Sequence, residues 1–157
     1  MDQHRDRATA ARRARALPGG AFFAPPGSVS HVLTGFHHIT LNVTDLSRAR
    51  AFYEGVLGLK VDQDFPGEKL RLRIGETDRL VLRPPLPGTP SGDRFSERRV
   101  GLDHLAIGVS SRAELEQLLE VLRRNGVAAD LHHDPLGPAV ISFRDPDNIQ
   151  WEFFEQS

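Results

Sequence analysis

The stretch Arg144-Asp145-Pro146-Asp147-Asn148-Ile149-Gln150-Trp151-Glu152-Phe153-Phe154 is a polar turn that runs into a strand of large apolar residues. Side chains alternate across a strand, so Ile149, Trp151 and Phe153 share one face while Gln150, Glu152 and Phe154 share the other. The apolar set marks the core face. Glu152 is then a carboxylate opposite that core face, where a charge without a partner is costly. Two earlier stretches repeat the alternation with a histidine on the less apolar face. In His38-Ile39-Thr40-Leu41-Asn42-Val43 the histidine lies opposite Ile39, Leu41 and Val43, and in His104-Leu105-Ala106-Ile107-Gly108-Val109 it lies opposite Leu105, Ile107 and Val109. Two imidazoles and one carboxylate, each facing away from its strand's core set, make a candidate metal site.

Working outward, the chain reads as one pattern used twice. A strand predicted from about Gly35 to Thr44 leads into a helix from about Leu46 to Leu57, capped by Asp45 or Ser47 and closed by Gly58. Short strands follow at Leu59 to Asp64, Lys69 to Ile74 and Arg79 to Arg83. After a Pro/Gly-rich linker the order begins again: a strand from Gly101 to Val109, a helix from Arg112 to Arg124 opened by Ser111 and Glu114, and strands at Ala128 to His133, Ala139 to Phe143 and Ile149 to Glu155. The expected organisation is a basic extension at residues 1–34, a first βαβββ module at 35–84, a linker at 85–100 and a second module at 101–157. His38 and His104 are then equivalent, each early in the first strand of its repeat. The expected fold is α+β, a curved mixed-sheet cup with both helices on the convex side, in which the concave faces of the two modules meet edge to edge.

Composition bounds the rest. The 157 residues, 39% hydrophobic and 26% charged, suit a globular protein, and the absence of cysteine excludes disulfides, Cys-ligated zinc and a Cys nucleophile. No apolar run approaches the roughly 20 residues of a membrane span, and no signal-peptide core follows the N-terminal arginines, so the expectation is a cytoplasmic protein that does not bind membranes. Residues 1–34 hold five arginines against Asp2 and Asp6, a net +3 that leaves −4 for the remainder. Without lysine or aromatics among those arginines, the arm reads as a flexible, solvated or loosely docked extension and not as a nucleic-acid contact.

Four stretches together resemble the vicinal oxygen chelate superfamily, which includes glyoxalase I, extradiol dioxygenases, methylmalonyl-CoA epimerase and fosfomycin-resistance transferases. They are Phe36-His37-His38-Ile39-Thr40-Leu41-Asn42-Val43-Thr44-Asp45-Leu46, Ala51-Phe52-Tyr53-Glu54-Gly55-Val56-Leu57-Gly58-Leu59, Leu102-Asp103-His104-Leu105-Ala106-Ile107, and Asp145-Pro146-Asp147-Asn148 with Glu152. The resemblance implies metal ligation by His38, His104 and Glu152, and a homodimer, since many relatives pair modules between chains. It also shows departures. Val81 stands at or near the position where glyoxalase I has a fourth ligand, and Ser142 stands where extradiol dioxygenases carry a tyrosine.

The reading that follows is a divalent-metal enzyme acting on a small oxygenated substrate that chelates the metal. Fe(II) is favoured, with Mn, Zn, Ni or Co as other metals, and the chemistry leans to a dioxygenase-type oxidoreductase. A glyoxalase-like lyase or isomerase, with Glu152 as base, is the near alternative, and a ligand-sequestering resistance protein the distant one. One of His132 and His133 should face the cup, and His133 is taken as a general acid–base. Thr40, Asn42, Arg71, Arg73, Ser142 and Phe154 are the expected substrate contacts, the arginines suiting an anionic group. His37 is expected to face the opposite way from His38.

Overall fold

The computed structural model describes residues 33–133 and 137–156, so most of the N-terminal extension lies outside the described residues. Contacts divide the chain into Met1–Gly35 and Phe36–Ser157. The second unit holds both modules. Its strands are β1 (Ile39–Asn42), β2 (Lys60–Phe65), β3 (Lys69–Ile74), β4 (Asp78–Arg83), β5 (Leu105–Val109), β6 (Ala129–His133), β7 (Ala139–Arg144) and β8 (Gln150–Glu155). They form two separate four-stranded sheets, ordered β1-β4-β3-β2 and β5-β8-β7-β6. In each, the first strand runs parallel to the last and the other pairs are antiparallel. The protein is thus an α+β fold of two βαβββ modules.

The registers of the two modules match residue for residue. Ile39 pairs with Leu80 and Thr40 with Val81, as Leu105 pairs with Trp151 and Ala106 with Glu152. Val81 is therefore the structural counterpart of Glu152, and His38 and His104 each stand one residue before the matching strand starts.

Helix α1 begins at Leu46–Arg50, where the Asp45 side chain accepts from the Arg48 N–H. It continues as a π-helix over Ala51–Val56, with the Leu57 N–H bonded to the Phe52 carbonyl five residues back at 2.9 Å. The wider turn lets two successive aromatics, Phe52 and Tyr53, both reach the core. Gly58 at φ +70 then takes the left-handed position that ends the helix. Helix α2 (Arg112–Arg124) is capped by Ser111, whose hydroxyl oxygen accepts from the Glu114 N–H at 3.3 Å and donates to the Glu114 carboxylate at 3.1 Å. It buries Leu115, Leu119 and Leu122, each worth roughly 1.5–3 kcal/mol of transfer free energy.

One core joins the two modules. It takes Leu41, Leu72, Leu80 and Leu82 from the first sheet, Ile141, Phe143, Trp151 and Phe153 from the second, and the buried residues of both helices. Within one chain the faces that meet are the helix-side faces, and the two sheets stay separate. The other faces, which carry the candidate site residues, look away from this core.

Asp145 ties the modules together. The residue is 4% exposed; its carboxylate accepts from the Tyr53 hydroxyl of α1 at 2.7 Å and from the N–H groups of Asp147 and Ile149 at 2.9 and 2.7 Å. The Trp151 indole N–H donates in turn to the Tyr53 oxygen at 3.1 Å. Burial pushes the Asp145 carboxyl above its ordinary range, and the Tyr53 hydrogen bond pulls it back. A carboxyl raised above its unfolded value favours the folded state at low pH, and loses that contribution as pH rises from about 3.9 through the folded pKa. Tyr53→Phe removes the donor and raises this carboxyl further. It should cost about 1–3 kcal/mol of stability at pH 7 and distinctly less near pH 4, as measured by urea denaturation at the two pH values.

Candidate functional site

On the outward face of module 2, β8 brings Glu152 beside Ala106 of β5 and Ser142 of β7. His104 precedes β5, and its Nε2 lies 3.4 Å from Glu152 Oε2. Its Nδ1 is 2.7 Å from Asp103 Oδ1. An ionised carboxylate only accepts, so Nδ1 donates to Asp103, and Nε2 is the ring nitrogen turned toward Glu152. The Ser142 hydroxyl donates to Glu152 Oε1 at 3.3 Å. One carboxylate orients the imidazole and one hydroxyl orients the carboxylate, which is how ligand pairs are usually held for a metal. Ala106 keeps the floor beside Glu152 low, the Gln156 side chain lies over Gly108, and Phe154, in phase with Glu152, forms the apolar margin.

His38 is elsewhere. It lines a cavity of about 220 Å³ built from module 1 residues alone, together with His37, Thr40, Gln63, Lys69, Arg71, Arg79, Val81 and Arg83. Among the described residues, no three His, Cys, Asp or Glu side chains stand close enough together to hold a metal ion. The donor chemistry suits a divalent metal, yet a single chain assembles only His104 and Glu152 of the three expected ligands.

Several expected residues change place. His133 pairs with Ala139, in phase with Ile141 and Phe143 of the core, whereas His132 pairs with Val140, in phase with Ser142 and Glu152. The histidine on the site's face is His132, because the register, which the sequence leaves open, decides between neighbours. His37 does not face away from His38. Both precede β1, where strand alternation does not apply, and their Nδ1 atoms are 2.8 Å apart. Thr40 borders the His38 cavity, and Asn42 pairs across the sheet with Arg83. Arg71 lines the cavity; Arg73 does not, and its Nη2 pairs with Asp62 at 3.0 Å.

Four residues of this region escaped the sequence reading: Asp103, Asp62, Lys69 and Arg79. Asp103 was visible as the neighbour of His104, and Lys69 and Arg79 as members of the alternating sets Lys69/Arg71/Arg73 and Arg79/Val81/Arg83. Asp62 was not, because it sits where the β2–β3 register slips between Val61 and Gln63, and that irregularity brings it to Arg71, Arg73 and Arg79.

Fold and site together define a class built from paired βαβββ modules. The model of the Glyoxalase/Bleomycin resistance protein/Dioxygenase superfamily matches residues 35–153, and the chain belongs to that family. It is 31% identical over 132 residues to the uncharacterized protein YwkD of Bacillus subtilis (strain 168), covering 80% of this chain and 99% of that protein. The solved glyoxylase/bleomycin resistance protein/dioxygenase domain from Frankia sp. EAN1pec is 31% identical with a TM-score of 0.70, covering 80% of this chain and 99% of that one. A lactoylglutathione lyase from Agrobacterium tumefaciens has a TM-score of 0.62 at 23% identity, over 78% of this chain and 94% of that one, and shows the fold alone. Membership supports a metal-dependent or ligand-binding role, in a family whose members bind small molecules, typically hold a divalent metal and often form dimers. No helix among the described residues is long and apolar enough to cross a membrane.

Asp103→Asn keeps the shape of that side chain and removes the charge that orients His104. Calorimetric titration with Mn(II) should show affinity falling about 10–100-fold, with the circular dichroism spectrum unchanged.

Proposed function

We propose that the protein is a divalent-metal enzyme acting on a small oxygenated substrate, with His38, His104 and Glu152 as the metal ligands and the site completed by a second copy of the chain. The observation that carries the reading is the matched pair of half-sites. His104 and Glu152 are oriented together on module 2, His38 stands at the equivalent position of module 1, and both half-sites face away from the core that joins them. Module 1 of one copy facing module 2 of another brings the three donors together. In a two-fold dimer the same apposition occurs twice.

Exposed apolar side chains flank both half-sites at equivalent positions. Phe36, two residues before His38, is 85% exposed, and Leu102, two residues before His104, is 42% exposed. Large apolar groups left in water beside functional residues mark an interface.

Val81 in place of a second carboxylate leaves a three-donor set with open coordination positions. For that reason Fe(II) is the favoured metal and a dioxygenase-type oxidation the favoured chemistry. When bound, the metal supplies Lewis-acid stabilisation of an oxyanion or enolate, and oxygen activation if it is Fe(II). The chain's own residues do the rest. Asp103 holds His104 with Nε2 presented, Ser142 holds Glu152, and Ala106 leaves room for the substrate, with Phe154 at its apolar side. His132 is the residue placed to move a proton at that face. The lyase or isomerase reading uses the same site with Glu152 as the base.

Elemental analysis of protein purified without chelator or an affinity metal should find near-stoichiometric metal that His38→Ala and Glu152→Ala each lose. The two variants should complement when unfolded and refolded together, because the mixed dimer contains one intact site; about a quarter of wild-type sites should return. Metal in the wild type with no return on mixing would put the site within one chain. A metal-free wild type would favour sequestration of a ligand.

A further inference from the structure

The wall of module 1 that faces the proposed site is basic, and its counterpart on module 2 is not. In the matched registers, Arg71 stands where module 2 has Ser142, Val81 where it has Glu152, and Arg83 where it has Phe154. Five cations, Lys69, Arg71, Arg73, Arg79 and Arg83, share this face of two neighbouring strands, and Arg73 is directly opposite Arg79. Like charges opposed across a sheet are destabilising.

Asp62 accounts for part of this. It lies 2.6 Å from Arg71, 3.0 Å from Arg73 and 3.4 Å from Arg79, and the hydrogen bond from Arg71, followed by that from Arg73, holds its carboxyl below the usual range. One carboxylate cannot neutralise three guanidinium groups. Among the described residues, neither Lys69 nor Arg83 has a carboxylate within ion-pairing distance; Lys69 instead rests over the Phe65 ring, 4.6 Å from its centre. Lys69, Arg71, Arg79 and Arg83 all line the cavity that contains His38, and no carboxylate among the described residues lines it. The unpaired charge of Lys69 and Arg83, both exposed, therefore borders a concave space beside a proposed ligand, which raises the local concentration of anions.

We infer that this cavity binds an oxyanion group, a carboxylate or phosphate, and that the substrate carries such a group in addition to the oxygens that meet the metal. The substrate assignment rests on the proposed site, with His38 and the cations in one cavity; the anion site rests on the cavity alone. Asp62 holds the Arg71 guanidinium through both Nε and Nη2 at 2.6 Å, which fixes its plane, the condition for two-pronged recognition of an oxyanion. Lys69 and Arg83 supply the unpaired charge. The metal ligands and the anion-binding group then fix a small substrate at two points, which sets its orientation.

The test titrates malonate, inorganic phosphate and neutral malonamide into the full chain by calorimetry, with Mn(II) titrated separately into the same samples. Saturable binding of malonate or phosphate at one site per chain is expected, with no binding of malonamide. Lys69→Gln and Arg83→Gln should each weaken the anion about tenfold or more, while Arg124→Gln on α2, which removes a charge outside the cavity, should leave it unchanged. The anion that binds more tightly identifies the group. Absence of saturable binding, or equal weakening by Arg124→Gln, would overturn the inference, and Mn(II) binding retained in that case would leave the metal reading standing. Anion binding that follows Lys69 and Arg83 in protein that takes up no Mn(II) would uphold the cavity and sink the metal site instead.

Discussion

The carboxylate of Asp145 is the constraint on which the arrangement depends. A buried charge needs donors, and here they come from two places: the N–H groups of its own turn, and the Tyr53 hydroxyl of the other module. The turn puts Asn148 at φ +70, a conformation in which asparagine is among the few tolerated side chains, and so launches β8 in the direction that places Trp151 in the core and Glu152 outside it. Asp147, two residues on, accepts from the Thr44 N–H at 3.2 Å and from Arg48 at 2.8 Å. One four-residue turn thus fixes the strand that carries the site, and locks the start of the other module's helix to it.

This lock also decides which faces are left over. Aromatic contacts of Phe52 with Phe143 and of Tyr53 with Trp151, with ring centres 6.3 and 5.7 Å apart, use up the helix-side faces of both modules. What remains is a pair of outward faces built on identical registers but with different side chains. Duplication gives each face a histidine at the same point. Divergence gives one face a carboxylate with its supporting hydroxyl and the other a set of cations.

Much of this was legible from residue order alone. The bounds of β3 and α2 follow from alternation and from a capping serine, and Trp151 and Tyr53 are core because their phases leave them no alternative. The equivalence of Val81 with Glu152 follows from aligning the repeats. What was not legible depends on the third dimension. Period-two patterning says that one of His132 and His133 faces the site, but only the pairing with Val140 or Ala139 says which. The histidine pair before β1 lies outside the strand, so alternation misplaces His37. The slip at Asp62 is a local event without a compositional mark. Above all, patterning specifies which face of a sheet is apolar, not which other apolar face it meets, so the closure of two cups and the back-to-back core are equally compatible with the sequence.

In the proposed dimer, charge selects which faces come together. Two module 1 walls would set Lys69, Arg71 and Arg83 against their own copies, and two module 2 walls would oppose to themselves Glu152 and Asp130, which share a face through their common neighbour Ser142. Pairing of unlike modules puts basic against acidic, the arrangement that electrostatic complementarity favours and that suppresses wrong partners by several kcal/mol. The same arithmetic explains why the cations persist. On an isolated sheet the pair Arg73–Arg79 and the neighbours Lys69 and Arg83 weaken the structure; across a closed cup they attract the partner's carboxylates and an anionic ligand together. Asp62 offsets part of the repulsion within module 1, and the proposed assembly would offset the rest, which would make assembly and ligand recognition two consequences of one charge pattern.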